Sequence, residues 1–133
     1  MTFPVVDGYR TIELGSPGEG RSLLNRLVLD GIKRATAGLV ADYAEEDEPV
    51  ESVGERLVLV DDDLNRLGLI EVTRVDIVPL CEVTWDFAQA EGEGFTDLAD
   101  WREAHESFWI SKGVDITDTT QVTCIYFDLV DET

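Results

Sequence analysis

Residues 56–78 place the tightest limit on the fold. Arg56-Leu57-Val58-Leu59-Val60 has no polar alternation after its first residue, so it reads as a strand buried on both faces. Asp61-Asp62-Asp63-Leu64-Asn65-Arg66 follows as a turn, and Leu67 to Val78 returns as a second strand, giving a β-hairpin. A doubly buried strand needs covering layers, and the flanking sequence offers them. Tyr9 to Leu14 has short strand character. The helical segment after residue 20 carries Leu23, Leu24, Leu27 and Val28 as an apolar stripe, with Arg21, Asn25 and Arg26 off it, and ends near Gly31. Leu39 to Glu45 reads as a second short helix, and Glu82 to Ala90 as another. Thr96 suits the cap of a helix whose broad face holds Leu98, Trp101, Arg102, His105, Phe108 and Trp109; Gly113 ends it. Thr119 to Val130 supplies a closing strand. No internal repeat or linker divides the chain, so one domain is expected over residues 1–133. The class is α+β: a small, largely antiparallel sheet or barrel with mixed strands, flanked by helices.

Composition excludes several functions. Twenty-nine acids against ten bases give a formal charge of -19, which opposes binding a long nucleic acid through its phosphates. The bases gather in residues 21–34, where Arg21, Arg26, Lys33 and Arg34 face a single acid, Asp30. Residues 42–55 carry acids and no base, as a solvated segment does. No apolar run reaches the roughly 20 residues of a membrane helix. The segment Met1-Thr2-Phe3-Pro4-Val5-Val6-Asp7 has no charged or apolar leader region, so a cytoplasmic protein is expected. Cys81 and Cys124 sit among apolar or β-branched neighbours and read as buried thiols in strands. With one histidine they do not make a zinc cage, and no metal or cofactor is expected.

Chemistry concentrates in three stretches. In Gly31-Ile32-Lys33-Arg34-Ala35-Thr36-Ala37-Gly38, an amine and a hydroxyl stand three residues apart. The pair has the parts of an activated nucleophile; equally, it is what a helix-end lysine followed by a capping threonine looks like. In Ala90-Glu91-Gly92-Glu93-Gly94 two carboxylates alternate with glycines that allow close approach, either as an acid–base pair or as a solvated loop. Around Trp101, Arg102 and His105 an apolar helix face carries the one histidine, which is assigned to packing or to fixing Arg102 or a glutamate. Two other stretches are set aside. Gly15-Ser16-Pro17-Gly18-Glu19-Gly20 lacks the spacing of a phosphate loop and reads as a connector. Asp61, Asp63 and Asn65 imitate a calcium loop, but Arg66 replaces its turn glycine and Val72 its last carboxylate.

These stretches together, with Ile12-Glu13-Leu14-Gly15-Ser16-Pro17-Gly18 and Phe108, resemble the ASCH-domain proteins over roughly residues 9 to 130. The resemblance implies a PUA-like fold, a small β-barrel flanked by helices, with a cleft beneath the helix bearing Lys33. It implies an association with RNA and modified nucleosides, including amidohydrolases that remove acetyl from N-acetylated cytidine, and a ribonuclease activity is also ascribed to the family. The catalytic lysine and threonine of that branch carry over to Lys33 and Thr36. Its glutamate falls on Glu93, or else on Glu91, and Arg34, Trp101, Arg102 and His105 stand as substrate contacts. The expected partner is a nucleoside-like small molecule or a short RNA. This chain departs from the compact hydrolases in its acidic block and its Trp101 helix.

Overall fold

The computed structural model describes residues 3–130; Met1 and Thr2, the start of the segment read above for a leader, lie outside it. Six strands form one sheet: β1 (Val5–Val6), β2 (Tyr9–Ile12), β3 (Ala35–Leu39), β4 (Arg56–Val60), β5 (Arg66–Pro79) and β6 (Gln121–Leu129). Their order is β1-β2-β4-β5-β6-β3, parallel only between β2 and β4 and antiparallel elsewhere. The sheet is barrel-like but open, with β1 and β3 at its edges. Among the described residues four helices flank it: α1 (Glu19–Leu29), α2 (Val40–Glu45), α3 (Trp85–Ala90) and α4 (Leu98–Ser111). No described helix is long and apolar enough to cross a membrane.

Period-two alternation explains the core. On β4, Leu57 and Leu59 join one apolar cluster with Val28, Ile70 and Phe127, while Val58 and Val60 turn the other way to meet Leu69. On β6, Val122 and Cys124 face α3 and α4 through Phe87, Trp101 and Trp109, while Ile125 and Phe127 face the α1 side. The hairpin is therefore a central wall with apolar layers on both sides, as its sequence requires.

Helix α1 departs from its apolar stripe. Arg21 and Asn25 are buried, whereas Leu23 is 62% exposed. The reason is hydrogen bonding. Arg21 donates to the carbonyls of Leu14 (2.9 Å) and Gly15 (3.3 Å), and Asn25 to that of Val60 (3.2 Å), so both polar side chains satisfy backbone acceptors inside. Arg21 also pairs with Asp62, whose other oxygen accepts from the Gly18 N–H at 2.9 Å. A carboxylate of the chain itself thus occupies the glycine-rich connector. The Asp61 carboxylate is likewise consumed within its turn, by Asp63, Asn65 N–H and the Asn65 amide.

Smaller differences have local causes. Asp97, not Thr96, caps α4 by accepting from the Asp100 N–H, and Thr96 instead donates to Asp100. The segment after Glu82 becomes helical only at Trp85, where Thr84 caps it. Cys81 is exposed in a short 3-10 turn at Leu80–Glu82 rather than buried in a strand; Cys124 is buried as expected.

Because Leu57 is fully buried and Leu23 is not, truncation should cost far more at the first than at the second. Leu57→Ala is expected to cost about 2–5 kcal/mol and Leu23→Ala no more than about 0.5 kcal/mol, read by urea denaturation.

Candidate active site

The end of α1 delivers Lys33. Gly31 takes the left-handed conformation (φ 78°), and the N–H groups of Ile32 and Lys33 both donate to the Leu27 carbonyl, at 2.9 and 3.0 Å. Lys33 therefore sits in a turn between α1 and β3, not on the helix expected to bear it. The Arg34 N–H donates to the Ala90 carbonyl at 2.8 Å, which ties this turn to the end of α3. Gly92 completes the docking. It also has a positive φ (67°), and a Cβ there would lie 2.3 Å from the Ile32 carbonyl oxygen. Only glycine lets the loop carrying Glu91 and Glu93 rest on the backbone beside Lys33.

The result is a buried ionic cluster. Lys33 is 2% exposed, and its Nζ lies 3.1 Å from Glu91 Oε2 and 2.7 Å from Glu93 Oε2. The other oxygen of Glu91 accepts from Trp101 Nε1 at 2.7 Å and lies 3.2 Å from His105 Nε2. His105 stacks on the Trp101 ring (centroids 4.2 Å apart, 22° between planes), and its Nδ1 is 2.8 Å from the Trp101 carbonyl oxygen. Both ring nitrogens thus face acceptors, which only an imidazolium can satisfy as a donor at each. Trp101 and His105, one helical turn apart on α4, grip Glu91 from the side away from Lys33.

Environment separates the two carboxyls. Burial alone would raise Glu91, but the His105 hydrogen bond and the Lys33 charge overcome it and hold the group down at about 2. Glu93 moves the other way: burial raises it and the Glu91 charge adds to that, against the pull of Lys33. The two carboxyls are thus driven in opposite directions, Glu91 toward its anion and Glu93 toward its neutral acid. His105 is raised because Glu91 outweighs the cost of burial.

Lys33, Glu91, Glu93, Thr36 and His105 line one open cavity of about 220 Å³, bordered also by apolar side chains that include Phe95, Phe108 and Trp109. Thr36 lies on edge strand β3, opposite Ile125 of β6, and so presents its hydroxyl from a strand rather than from a helix cap. The other three candidates stand elsewhere. Trp101 is fully buried and does not line the cavity; it reaches the site through Glu91 and His105. Arg34 is exposed and paired with Asp128 at 2.7 Å. Arg102 pairs with Glu106 and Asp118 and borders a separate hollow near Leu80 and Cys81. Phe95 went unread although it directly follows the Glu-Gly-Glu-Gly run, and its ring lies 5.6 Å from that of His105. No group of three or more His, Cys, Asp or Glu among the described residues is arranged to hold a metal ion.

Comparison with known proteins agrees with the fold. The model of the ASCH-domain family matches residues 11–131. A solved structure of an ASCH domain from Lactobacillus crispatus is 27% identical, with a TM-score of 0.77 over 91% of this chain and 80% of that one. A DUF984 protein from Enterococcus faecalis is 29% identical, with a TM-score of 0.78 over 90% of this chain and 74% of that one. The search of curated proteins finds no match.

The raised His105 fixes the sign of a pH effect. Its contribution to stability is fully present below its ordinary value near 6.5 and is lost as pH rises through the folded-state value. Urea denaturation should show His105→Gln less stable than the parent by about 1–3 kcal/mol at pH 5.5, with the gap narrowing at pH 9. A gap independent of pH would contradict the ionic role.

Proposed function

The chain belongs to the ASCH-domain family, and from that premise we propose that it is a hydrolase of a modified nucleoside or similar small amide, of the kind that removes acetyl from N-acetylated cytidine. One observation carries this reading: an amine buried between two carboxylates, on the wall of a cavity that also holds a threonine hydroxyl. Lys33 donates to both glutamates with two of its three N–H groups, which leaves one for a substrate oxygen. That arrangement suits an electrostatic anchor for the acyl oxygen better than a base.

Glu93 then carries the proton. Its raised value brings it toward the range where it both accepts and returns a proton. In the proposed sequence the Thr36 oxygen bonds to the acyl carbon while its proton passes to Glu93. The carbon–nitrogen bond breaks as Glu93 returns that proton to the leaving nitrogen. Water, deprotonated by Glu93, then attacks the acyl-threonine, and the released threonine oxygen recovers the proton. Glu91 does not react; it positions Lys33.

A small ligand fits better than an extended RNA. Three of the four bases in residues 21–34 are spent within the chain: Arg21 on Asp62, Lys33 on the glutamates and Arg34 on Asp128. The basic island therefore offers little to a phosphate backbone.

Acetate release from N-acetylcytidine, followed by chromatography, tests the reading. Lys33→Ala, Thr36→Ala and Glu93→Gln are each expected to lower kcat/KM by about 100-fold or more. The parent rate should rise as pH passes the raised value of Glu93, and Glu93→Gln should lose that limb. Absence of release by the parent, or release that survives all three changes, overturns it.

A further inference from the structure

Edge strand β3 has one side committed to β6 and the other free. Which main-chain groups face the free side follows from the ladder. The Phe127 N–H donates to the Arg34 carbonyl at 3.0 Å, and antiparallel pairs alternate between bonded and non-bonded positions. Counting by twos from Arg34, Thr36 and Gly38 turn their N–H and C=O toward Ile125 and Thr123, while Ala37 turns both of its groups away. The other side of β6 gives the same phase. The Leu80 N–H donates to the Thr120 carbonyl at 2.8 Å, so Cys124, opposite Asp76, spends its main chain on β5 and not on Ala37. Among the described residues no hydrogen bond outside the ladder reaches the Ala37 N–H or C=O.

Those two groups belong to the candidate site. Ala37 is half-buried and lines the same cavity as Lys33, Thr36 and Glu93. Phe108 borders that cavity with a ring left 37% exposed. An accessible aromatic ring and a free main-chain donor and acceptor on one cavity are the parts that recognise a flat heterocycle, by stacking on its face and hydrogen bonding at its edge. The volume of about 220 Å³ lies below the roughly 300–1,000 Å³ of sites for drug-sized ligands, which suits a single ring.

We propose that the main chain of Ala37 reads the base in this site: its N–H donates to a ring nitrogen of the ligand, its C=O accepts from the adjacent exocyclic N–H, and Phe108 covers the ring. The inference rests on the hydrolase reading for which bond reacts. An acylated exocyclic amine keeps one N–H beside the ring nitrogen, so substrate and deacylated product present the same acceptor–donor edge. A strand paired along its other side holds the two groups in place, which lowers the ordering cost of binding.

The test uses binding, so it is independent of turnover. Cytidine, 3-deazacytidine (no ring acceptor) and the riboside of 2-pyrimidinone (no exocyclic donor) are titrated into the full chain by calorimetry, with location read from backbone amide NMR shifts. Cytidine is expected to bind about tenfold or more tightly than either analogue, and to shift the Ala37 amide proton where 3-deazacytidine does not. Proline is tolerated on an edge strand where the N–H faces outward, so Ala37→Pro removes this donor without breaking a ladder bond. It should bind cytidine about tenfold more weakly and 3-deazacytidine about as the parent does. Phe108→Ala should instead weaken all three ligands by a similar factor. Should Ala37→Pro fail to fold, the three ligands on the parent still decide. Equal affinity for cytidine and both analogues, an Ala37 amide that does not move, or no binding by any of the three overturns the proposal. Acetate release from N-acetylcytidine alongside equal affinities overturns this proposal alone, whereas the expected order without acetate release overturns only the hydrolase reading.

Discussion

An ammonium removed from water is the contact on which the rest of this structure depends. The desolvation of Lys33 is offset only because Glu91 and Glu93 both reach it, and Glu91 is in turn satisfied by Trp101 and His105. Removing one partner from a buried ion pair typically costs about 3–5 kcal/mol, so the cluster forms as a unit or not at all. That dependence joins the turn after α1, the loop after α3 and the middle of α4, which are distant in sequence. The apolar core packs these elements together; the charges fix how they meet.

The same constraint separates the environments of the two carboxyls. Glu91 is enclosed by Lys33, Trp101 and His105, which favour its anion. Glu93 takes a hydrogen bond from Lys33 and borders the cavity, and burial together with the Glu91 charge raises it. Two identical side chains two residues apart meet different surroundings because Gly92, pressed against the Ile32 carbonyl, turns the backbone between them. An α1 helix tied down by Arg21 and Asn25 holds the other side of the site, since Arg21 grips the Leu14 and Gly15 carbonyls of two cavity-lining residues.

Much of this was legible in the residues. The hairpin of β4 and β5 followed from an unbroken apolar run and its acidic turn, and the α+β class followed from the order of elements. Lys33, Thr36, Glu91 and Glu93 were marked by amine, hydroxyl and carboxylates beside glycines. What stayed hidden depends on tertiary partners. Arg21 and Asn25 look like surface residues until the carbonyls they satisfy are known, and the stripe through Leu23 looked apolar for the same reason. Arg34 and Arg102 share motifs with site residues, but Asp128, Glu106 and Asp118 draw them away.

The claim that environment splits Glu91 from Glu93 is tested most directly by carbon-13 NMR titration of their side-chain carboxyls in the intact protein. The account expects Glu91 to stay ionised well below the usual carboxylate range and Glu93 to protonate above it, each shift reporting on the other. Two carboxyls that titrate together near the ordinary value of 4.5, as groups in open water do, would contradict it.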